Sequence, residues 1–453
     1  MGLFGRKKKK PAETETGEAI LPALEFKPSA YPKNEAQGAV IAAKQLPGFA
    51  NLVQWLALAL QQRADRILMD YTQQAVSVRF RIDGLWENQP PTDRPTGDSA
   101  LAALKKLCGL NPAERRAKQT GKTGLYFEKT DWIAECVAQG VPTGERVLIS
   151  LETKKPSLKT LAELGMRDKV IEQVKGELNG HGGIVVVSGP PGQGLPTTWR
   201  VVLEETNKFV RDYIALEDIK DPDPDIINVT KVTFDSEKNE TPEAVFERRL
   251  LKQPDAFIFP SLYNDAVVGL MLKQLPENRH AITRFVANDS VEALLGLLQA
   301  HRAHAKELLK STRLVVNQRL LRRLCPKCKQ GCQPTPQLLA KLGLPADRVQ
   351  KLYQPFVPPP PDQRVDAKGN PIEIEICTDC NGGGYRGRMA LFEVLEVTDP
   401  LRKAILQNPN ADAVRKAAAS LGHRGFQQEG ILSVVLGLTS LQEVQRVLQP
   451  PAK

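Results

Sequence analysis

The chain has 453 residues, 41% of them hydrophobic and 25% charged, which is ordinary globular composition with room for two to four domains. No apolar run reaches the roughly 18 residues of a membrane-spanning helix, and no apolar segment of a signal peptide follows the basic N-terminus. The net charge is +10, but residues 6–10 supply half of it. The composition therefore predicts a cytoplasmic protein that does not bind nucleic acid.

Residues 1–47 are predicted to be a basic, disordered tail. The segment opens with MGLFGRKKKK and continues into the polar run PAETETGE, which cannot bury a core. Basic residues near an anionic membrane gain about 1 kcal/mol each, so peripheral attachment to a membrane is the alternative to a free tail.

Residues 48–155 are predicted to form a small α/β domain. Residues 48–62 have the apolar spacing of a helix, and ADRILMD and AVSVRFRIDGLWE alternate like strands. In the second strand Arg79 and Arg81 share the face opposite the apolar residues, either as a solvated surface or as a functional pair. A second helix is predicted at 101–110, with further strands in AERRAKQTGKTGLYFE and GERVLISLET.

Residues 156–324 are predicted to form a mostly parallel sheet with helices on both faces, because short apolar runs alternate with helical segments. The strand candidates are 184–188, 213–216, 256–259 and 281–285.

The first of these strands leads into GPPGQGLPTTWR, a strand, glycine loop and helix with the layout of a phosphate-binding loop. The expected pattern is G-x-x-x-x-G-K-[ST], but Leu195 and Pro196 stand at its last two positions. Leucine cannot bind a phosphate oxygen, and proline has neither the Mg²⁺-binding hydroxyl nor an N–H. The residues that could still contact a nucleotide are Gly189, Gly192, Gly194, Thr197 and Thr198. ATP and Mg²⁺ are therefore doubtful ligands, although the loop itself tolerates proline in the first helical turn.

Four cysteines form a C-x₂-C…C-x₂-C pattern typical of a structural Zn²⁺ site with four thiolate ligands. They are Cys325, Cys328, Cys377 and Cys380. Free buried cysteines are the alternative. We assign them to a metal-binding insert at 325–392, followed by a helical segment at 393–453.

The chain resembles the type II secretion and type IV pilus assembly ATPases, hexameric motors of the RecA-like class, over roughly 50–448. The resemblance rests on several stretches: VRFRIDG, AERRAKQTG, GERV, STRLVVNQRLLRRLCPKC, CTDCNGGGYRGRMALFEVLEV and HRGFQQEGILSVVLGLTSLQEV. It implies a RecA-like P-loop core at 156–324, joined to the N-terminal α/β domain, the tetracysteine insert and the C-terminal helical segment.

The resemblance also assigns roles to individual residues. Glu217 and Asp218 resemble an acidic box of the family, whereas Ser261 stands at the position of its catalytic glutamate and Val286 at that of its histidine. The residues that resemble nucleotide-reaching arginines of the family are Arg79, Arg81 and Arg116.

These departures predict a pseudo-ATPase that serves as a scaffold or regulatory subunit of a type II secretion or type IV pilus system. The resemblance implies a homo- or hetero-hexamer in the cytoplasm or at the inner membrane, working with inner-membrane platform proteins and an intact ATPase paralogue. The alternative is a genuine hexameric motor that hydrolyses ATP with an atypical phosphate loop.

Overall fold

The structure is a computed structural model that describes residues 22–29, 32–155, 158–360, 363–364 and 372–449. The chain divides into two compact units, Met1–Ser157 and Leu158–Lys453. The basic residues 1–21 of the predicted tail lie outside the described residues. Within the described part of the chain, no helix is both long enough and apolar enough to cross a membrane.

The N-terminal unit is an antiparallel sheet with helices packed against its apolar face. Its strands are β1 (Glu25–Lys27), β2 (Ala64–Tyr71), β3 (Ala75–Ile82), β4 (Leu85–Asn88), β5 (Thr92–Asp93), β6 (Gln119–Phe127), β7 (Thr130–Val141) and β8 (Gly144–Thr153). Its helices are α1 (Lys33–Lys44), α2 (Phe49–Gln61) and α3 (Arg94–Leu107). The strand order is β1-β6-β7-β8-β2-β3-β4, with β5 paired to β3.

The alternation in β3 is confirmed, because Val76, Val78 and Phe80 are at most 2% exposed within the core of this unit. The helical spacing of residues 48–62 is confirmed by α2.

The prediction of a disordered tail is wrong for residues 25–27 and 33–44, which form β1 and α1. The Phe26 ring lies 5.6 Å from that of Phe49, and β1 pairs with β6. In α1 the side chains of Ala39, Val40 and Ala43 are buried. This apolar stripe is short and mostly alanine, so the surrounding polar residues mask it in the sequence.

The N-terminal unit also buries one ion pair. Lys105 of α3 is 1% exposed in its side chain and bonds the Glu145 carboxylate of β8. Its ammonium also donates to the carbonyl oxygen of Glu114 at 2.7 Å. The pair therefore joins a helix, a strand and a loop inside the unit.

The C-terminal unit is built on a second sheet. Its strands are β9 (Gly183–Ser188), β10 (Tyr213–Asp218), β11 (Val229–Phe234), β12 (Ala256–Phe259), β13 (His280–Phe285), β14 (Thr312–Leu324), β15 (Gln330–Cys332), β16 (Leu352–Gln354) and β17 (Tyr385–Glu396). Its helices are α4 (Asp168–Asn179), α5 (Leu195–Glu204), α6 (Pro242–Leu250), α7 (Asp265–Gln274), α8 (Ser290–Ala300), α9 (Ala305–Ser311), α10 (Pro336–Leu342), α11 (Asp399–Gln407), α12 (Ala411–Ser420), α13 (Phe426–Val435) and α14 (Leu441–Leu448).

The main sheet has the order β11-β10-β12-β13-β9-β14-β17 and is parallel except for β17. All four predicted strands are present. Ile184 and Val186 of β9 pack into one apolar core, and Val185 and Val187 pack into a second core on the opposite face. The predicted parallel sheet, covered on both faces, is therefore confirmed.

The predicted division at residue 392 is wrong, because it cuts through β17. This strand pairs antiparallel with β14, with Arg319 opposite Leu391, so it belongs to the main sheet. The long chain excursion between β14 and β17 carries the small β15–β16 pair and α10. Glycine and arginine interrupt the apolar pattern of GYRGRMALFEV, which hides the strand in the sequence.

Candidate nucleotide loop and tetracysteine cluster

The glycine loop follows β9 at the carboxyl edge of the main sheet, as its sequence predicts. Gly192 and Gly194 have φ angles of +74° and +86°, in the left-handed region that favours glycine. A Cβ at Gly189 would meet the carbonyl oxygen of Gln318 at 3.1 Å. Gly194 is the N-cap of α5, so the loop ends at a helix N-terminus. The backbone thus has the shape of a phosphate-binding loop.

The side chains at the lysine and Ser/Thr positions of the phosphate-loop pattern lack the groups that bind phosphate and Mg²⁺. Leu195 is 7% exposed and packs in the apolar core that also contains Trp199. Pro196 is the exposed second residue of α5. Thr198 is 1% exposed, and its hydroxyl bonds the side-chain oxygen of Gln318. Thr197 is half-buried on α5.

The loop is tied to β14 by what we call the glutamine clasp, formed by Gln193, Thr198 and Gln318. The Gln318 side-chain nitrogen donates to the Gln193 carbonyl oxygen at 2.6 Å. The Gln193 side-chain oxygen accepts from the Leu320 N–H at 2.9 Å. These protein groups therefore serve as one another's hydrogen-bond partners. Sequence reasoning missed Gln318, which lies 125 positions after Gln193 in an unpredicted strand.

Glu217 and Asp218 end β10 at the same edge of the sheet. Glu217 is 2% exposed, and its burial raises the pKa of the carboxyl group, while the nearby Lys231 ammonium opposes the shift. Lys231 Nζ lies 3.4 Å from Glu217 Oε2 and 2.8 Å from Asp225 Oδ1. Asp218 accepts the backbone N–H of Lys220 at 3.0 Å. Glu217 therefore faces a cation on the neighbouring strand β11, whereas Asp218 accepts from the turn that follows its own strand.

A cation at this edge, missed by sequence reasoning, is Arg284 at the end of β13. It donates to Asp223 Oδ1 at 2.9 Å and to the Pro260 carbonyl oxygen at 3.1 Å. Its guanidinium lies 5.8 Å from the centroid of Trp199, whose indole N–H donates to the other Asp223 oxygen at 2.5 Å. Arg284 is thus neutralised by Asp223 and held against α5.

The end of β12 has no carboxylate at position 260 or 261. Ser261 is exposed, and its hydroxyl oxygen accepts only a long bond, at 3.4 Å, from the Tyr263 N–H. The Tyr263 hydroxyl donates to the Leu216 carbonyl oxygen at 3.1 Å. Val286 is 59% exposed after β13. Neither Ser261 nor Val286 can act as a general base.

Two of the three predicted arginines pair with acids inside the N-terminal unit. Arg79 donates to Asp70 at 2.6 Å. Arg81 makes two bonds to Asp65, at 2.6 and 2.9 Å, in a bidentate arrangement. These strand-face residues are structural partners of β2, and a nucleotide role for them stays a prediction.

Arg116 differs, because its side chain is exposed and lines a depression of about 650 Å³ with Arg94 and Arg115. Its backbone N–H donates to the Glu114 carboxylate at 2.6 Å, which fixes the loop. Its predicted contact with a nucleotide also stays a prediction.

The four paired cysteines come together at the base of the excursion between β14 and β17. Their sulfur atoms all lie within 4.8 Å of one another. Cys325 Sγ is 3.8 Å from Cys377 Sγ, and Cys328 Sγ is 3.5 Å from Cys380 Sγ. A tetrahedral zinc ion with Zn–S bonds of about 2.3 Å requires S···S separations of about 3.8 Å. The donor set and its spacing therefore fit a four-thiolate metal site.

The surroundings of this cluster are ordered by further contacts. The Cys325 N–H donates to the Gly384 carbonyl oxygen at 2.9 Å. Asp379 pairs with Lys327 at 2.5 Å and with Arg386 at 2.9 Å, across the two cysteine turns. Burial opposes ionisation of Cys377, but backbone N–H groups and neighbouring thiols lower its pKa to about 7. Burial raises the pKa of Cys328 and of Cys380, so a bound metal ion would have to favour their thiolate forms.

The three remaining cysteines lie elsewhere. Cys332 contacts the Leu352 carbonyl oxygen at 3.6 Å in the β15–β16 pair, and Cys108 and Cys136 are buried in the N-terminal unit.

A parallel sheet with helices on both faces and a glycine loop at its carboxyl edge is an arrangement of P-loop folds, which the RecA-like ATPases share. Solved structures agree. The ATPase DotB of Yersinia pseudotuberculosis matches with a TM-score of 0.54 and 13% identity, covering 95% of this chain and 98% of that chain. The ATPase DotB of Legionella pneumophila matches with a TM-score of 0.51 and 13% identity, covering 86% and 93%. At such low identity the likeness establishes the fold alone.

The chain belongs to the family described as Type II/IV secretion system protein, whose model matches residues 45–446. It is 26% identical over 395 residues to the putative type II secretion system protein E of Escherichia coli, covering 86% of this chain and 75% of that protein. It is also 26% identical over 396 residues to the type IV pilus assembly ATPase PilB of Thermus thermophilus, covering 85% of this chain and 41% of PilB. The family predicted from the sequence is confirmed.

Proposed function

We propose that this chain is a non-catalytic member of the secretion and pilus ATPase family, acting as a scaffold or regulatory subunit. The observation that carries the proposal is Leu195, which stands at the lysine position of the phosphate loop and is buried in the apolar core. No ammonium group is delivered from that position to a β- or γ-phosphate. Pro196 offers no hydroxyl for Mg²⁺, and Ser261 offers no carboxylate to orient a water molecule.

The electrostatics of the loop edge support the same proposal. Two cations near this edge already have acidic partners, since Arg284 pairs with Asp223 and Lys231 lies between Glu217 and Asp225. Asp218 and the buried Glu217 end the neighbouring β10. Without a lysine or a bound Mg²⁺, these carboxylates repel the polyphosphate of ATP. The glutamine clasp ties the loop to β14 through contacts between protein groups.

We also propose one structural zinc ion per chain, bound by Cys325, Cys328, Cys377 and Cys380. The proximity of the four sulfur atoms, all within 4.8 Å of one another, supports it. Four protein ligands leave no open coordination position, so the metal would stabilise the base of the excursion and take no part in catalysis.

The family suggests where such a subunit acts. Its named relatives are a type II secretion protein and type IV pilus assembly ATPases. We propose that this chain joins a hexameric ring, alone or with an intact homologue, and works with platform proteins at the cytoplasmic face of the inner membrane. A pull-down with an intact paralogue, followed by mass measurement of the complex, distinguishes homo-oligomers from hetero-oligomers.

The decisive experiment is phosphate release by the purified full-length chain in the presence of ATP and Mg²⁺. We expect no turnover above the background of a matched buffer control. Turnover that disappears in Glu217→Gln would refute the proposal and establish the alternative, a genuine motor with an atypical loop.

A further inference from the structure

The edge of the main sheet is incompletely covered at β17. β17 is the last strand in the sheet and hydrogen-bonds to β14 on one side only. On the other side, the Ala390 N–H donates to the Leu164 carbonyl oxygen at 3.0 Å, so the segment before α4 covers the first part of the edge. The chain then turns away into α4, and the edge from Phe392 to Glu396 is left as the floor of a cleft of about 610 Å³.

The outward backbone groups of this part of β17 follow from the antiparallel ladder. In such a ladder the N–H and C=O of one residue point to the same side, and alternate residues share that side. Ala390 points outward, so Phe392 and Val394 do as well. The Val394 carbonyl oxygen accepts from the His423 ring at 3.1 Å, which agrees with this direction. Within the described chain, no main-chain group pairs with the N–H of Phe392 or Val394.

The walls of the cleft are suited to an extended chain. The start of α4 forms one wall, and the loop between α12 and α13 forms the other. Leu421, which is 49% exposed, stands on the second wall and offers an apolar contact for a bound side chain. Exposed sheet edges with flanking side-chain pockets bind peptides by strand addition.

The cleft carries one net positive charge, because three cations face the two carboxylates of Glu396 and Glu429. Glu429 is paired with Arg167 at 2.6 Å, and the Glu396 carboxylate accepts from the Gln173 side chain at 3.3 Å. Lys169 and Arg424 also line the cleft, are exposed, and have no acidic partner among the described residues.

We propose that this cleft binds an extended, acidic peptide segment of a partner protein, which adds as a strand to β17. The peptide carbonyl groups would accept from the N–H groups of Phe392 and Val394, and the acidic side chains of the peptide would face Lys169 and Arg424. This surface is separate from the glycine loop and does not depend on nucleotide binding.

The test uses two capped hexapeptides, one alternating glutamate with valine and one alternating lysine with valine. Binding to the full-length chain is measured by fluorescence anisotropy, and protection of the Phe392 and Val394 amides by hydrogen exchange. We expect the acidic peptide to bind about tenfold more tightly, since two exposed ion pairs supply this preference. It should also protect both amides. Equal binding of the two peptides, or no binding at about 1 mM, would overturn the proposal.

Variants separate the backbone contribution from the charge contribution. Val394→Pro removes an outward N–H at a sheet edge, where proline is tolerated, and should abolish binding, whereas Val394→Thr should retain it. Lys169→Glu with Arg424→Glu should reverse the peptide preference, while the matched surface pair Arg302→Glu with Lys306→Glu should not. A folded Val394→Pro variant that binds normally contradicts strand addition. If the folded Val394→Pro variant instead changes the oligomeric state, the edge binds a second copy of this chain and the proposal is overturned.

Discussion

Restoring the phosphate loop is the sharpest test of why nucleotide chemistry is absent. The change is Leu195→Lys with Pro196→Thr, which rebuilds the two missing contacts of the loop. A buried leucine side chain contributes about 1.5–3 kcal/mol, but a lysine keeps its methylene stem in the same place and sends its ammonium outward. We therefore expect the free variant to lose about 1–2 kcal/mol of stability.

The variant gains stability only when ATP and Mg²⁺ are present. Each hydrogen bond to a charged group contributes about 1.5–3 kcal/mol, so two restored contacts should raise ATP affinity by about 10²–10⁴-fold. Thermal unfolding with and without MgATP measures this directly. A ligand at one hundred times its dissociation constant adds about 2.7 kcal/mol of stability. The original chain should show no such shift.

The matched control is Leu195→Met with Pro196→Thr, which restores the hydroxyl without the charge and should gain far less affinity. Phosphate release should stay at background in the double variant until Ser261→Glu is added, because binding and water positioning are separate requirements. We expect little turnover even then, since Val286 and Tyr263 also depart from the family pattern. The reasoning is refuted if MgATP stabilises the original chain as strongly as the lysine variant, or if the folded lysine variant binds no better.

Three further predictions concern stability. Cys377→Ser should lose the metal, measured by elemental analysis, and loosen the excursion while the main sheet stays folded. The control Cys332→Ser should keep a full equivalent of metal. Metal loss in both variants would contradict the four-ligand assignment. Burial and neighbouring arginines lower the pKa of His280 to about 4 from an ordinary value near 6.5. The native state thus binds fewer protons, so about 3 kcal/mol of stability should disappear as the pH falls from 6.5 to 4, and His280→Phe should flatten that profile in denaturant titrations. Glu145→Leu should destabilise the N-terminal unit by about 3–5 kcal/mol, because it leaves the buried Lys105 charge unpaired. Adding Lys105→Met should recover most of the loss. If the stability losses of the two single variants simply add in the double variant, the two residues are not coupled and the prediction fails.

The regular elements of the central sheet could be predicted because local patterns dictate them. The apolar runs of β9, β10, β12 and β13 are short, bounded by turn residues and buried on both faces, which is the pattern of parallel strands. The altered phosphate loop was visible for a similar reason, since its pattern lies within a few consecutive residues. The cysteine spacing also predicted a cluster that the structure brings together.

The features of the site that the sequence did not predict depend on contacts between residues that are far apart in the chain. Gln318 meets the loop only because β14 lies beside β9 in the sheet, and that register is not encoded near either residue. Arg284 meets Asp223 through the same arrangement of parallel strand ends. The pairing of Arg81 with Asp65 did have a signal, because the two residues carry opposite charges and stand on two predicted strands that follow each other closely in the chain.

Because of the cysteine cluster, the pairing of β14 with β17 does not depend on the length of the excursion between them. Cys325 and Cys377 are 52 positions apart along the chain, yet their sulfur atoms are 3.8 Å apart where β14 ends and β17 is about to begin. With the entry and exit points clamped together, residues added or removed between them do not shift the pairing of β14 with β17. Doubling the length of a flexible loop costs only about 0.6 kcal/mol in closure entropy. Length changes in the parts of the excursion outside its buried cluster of Leu339, Val349 and Leu352 should therefore leave the main sheet in register.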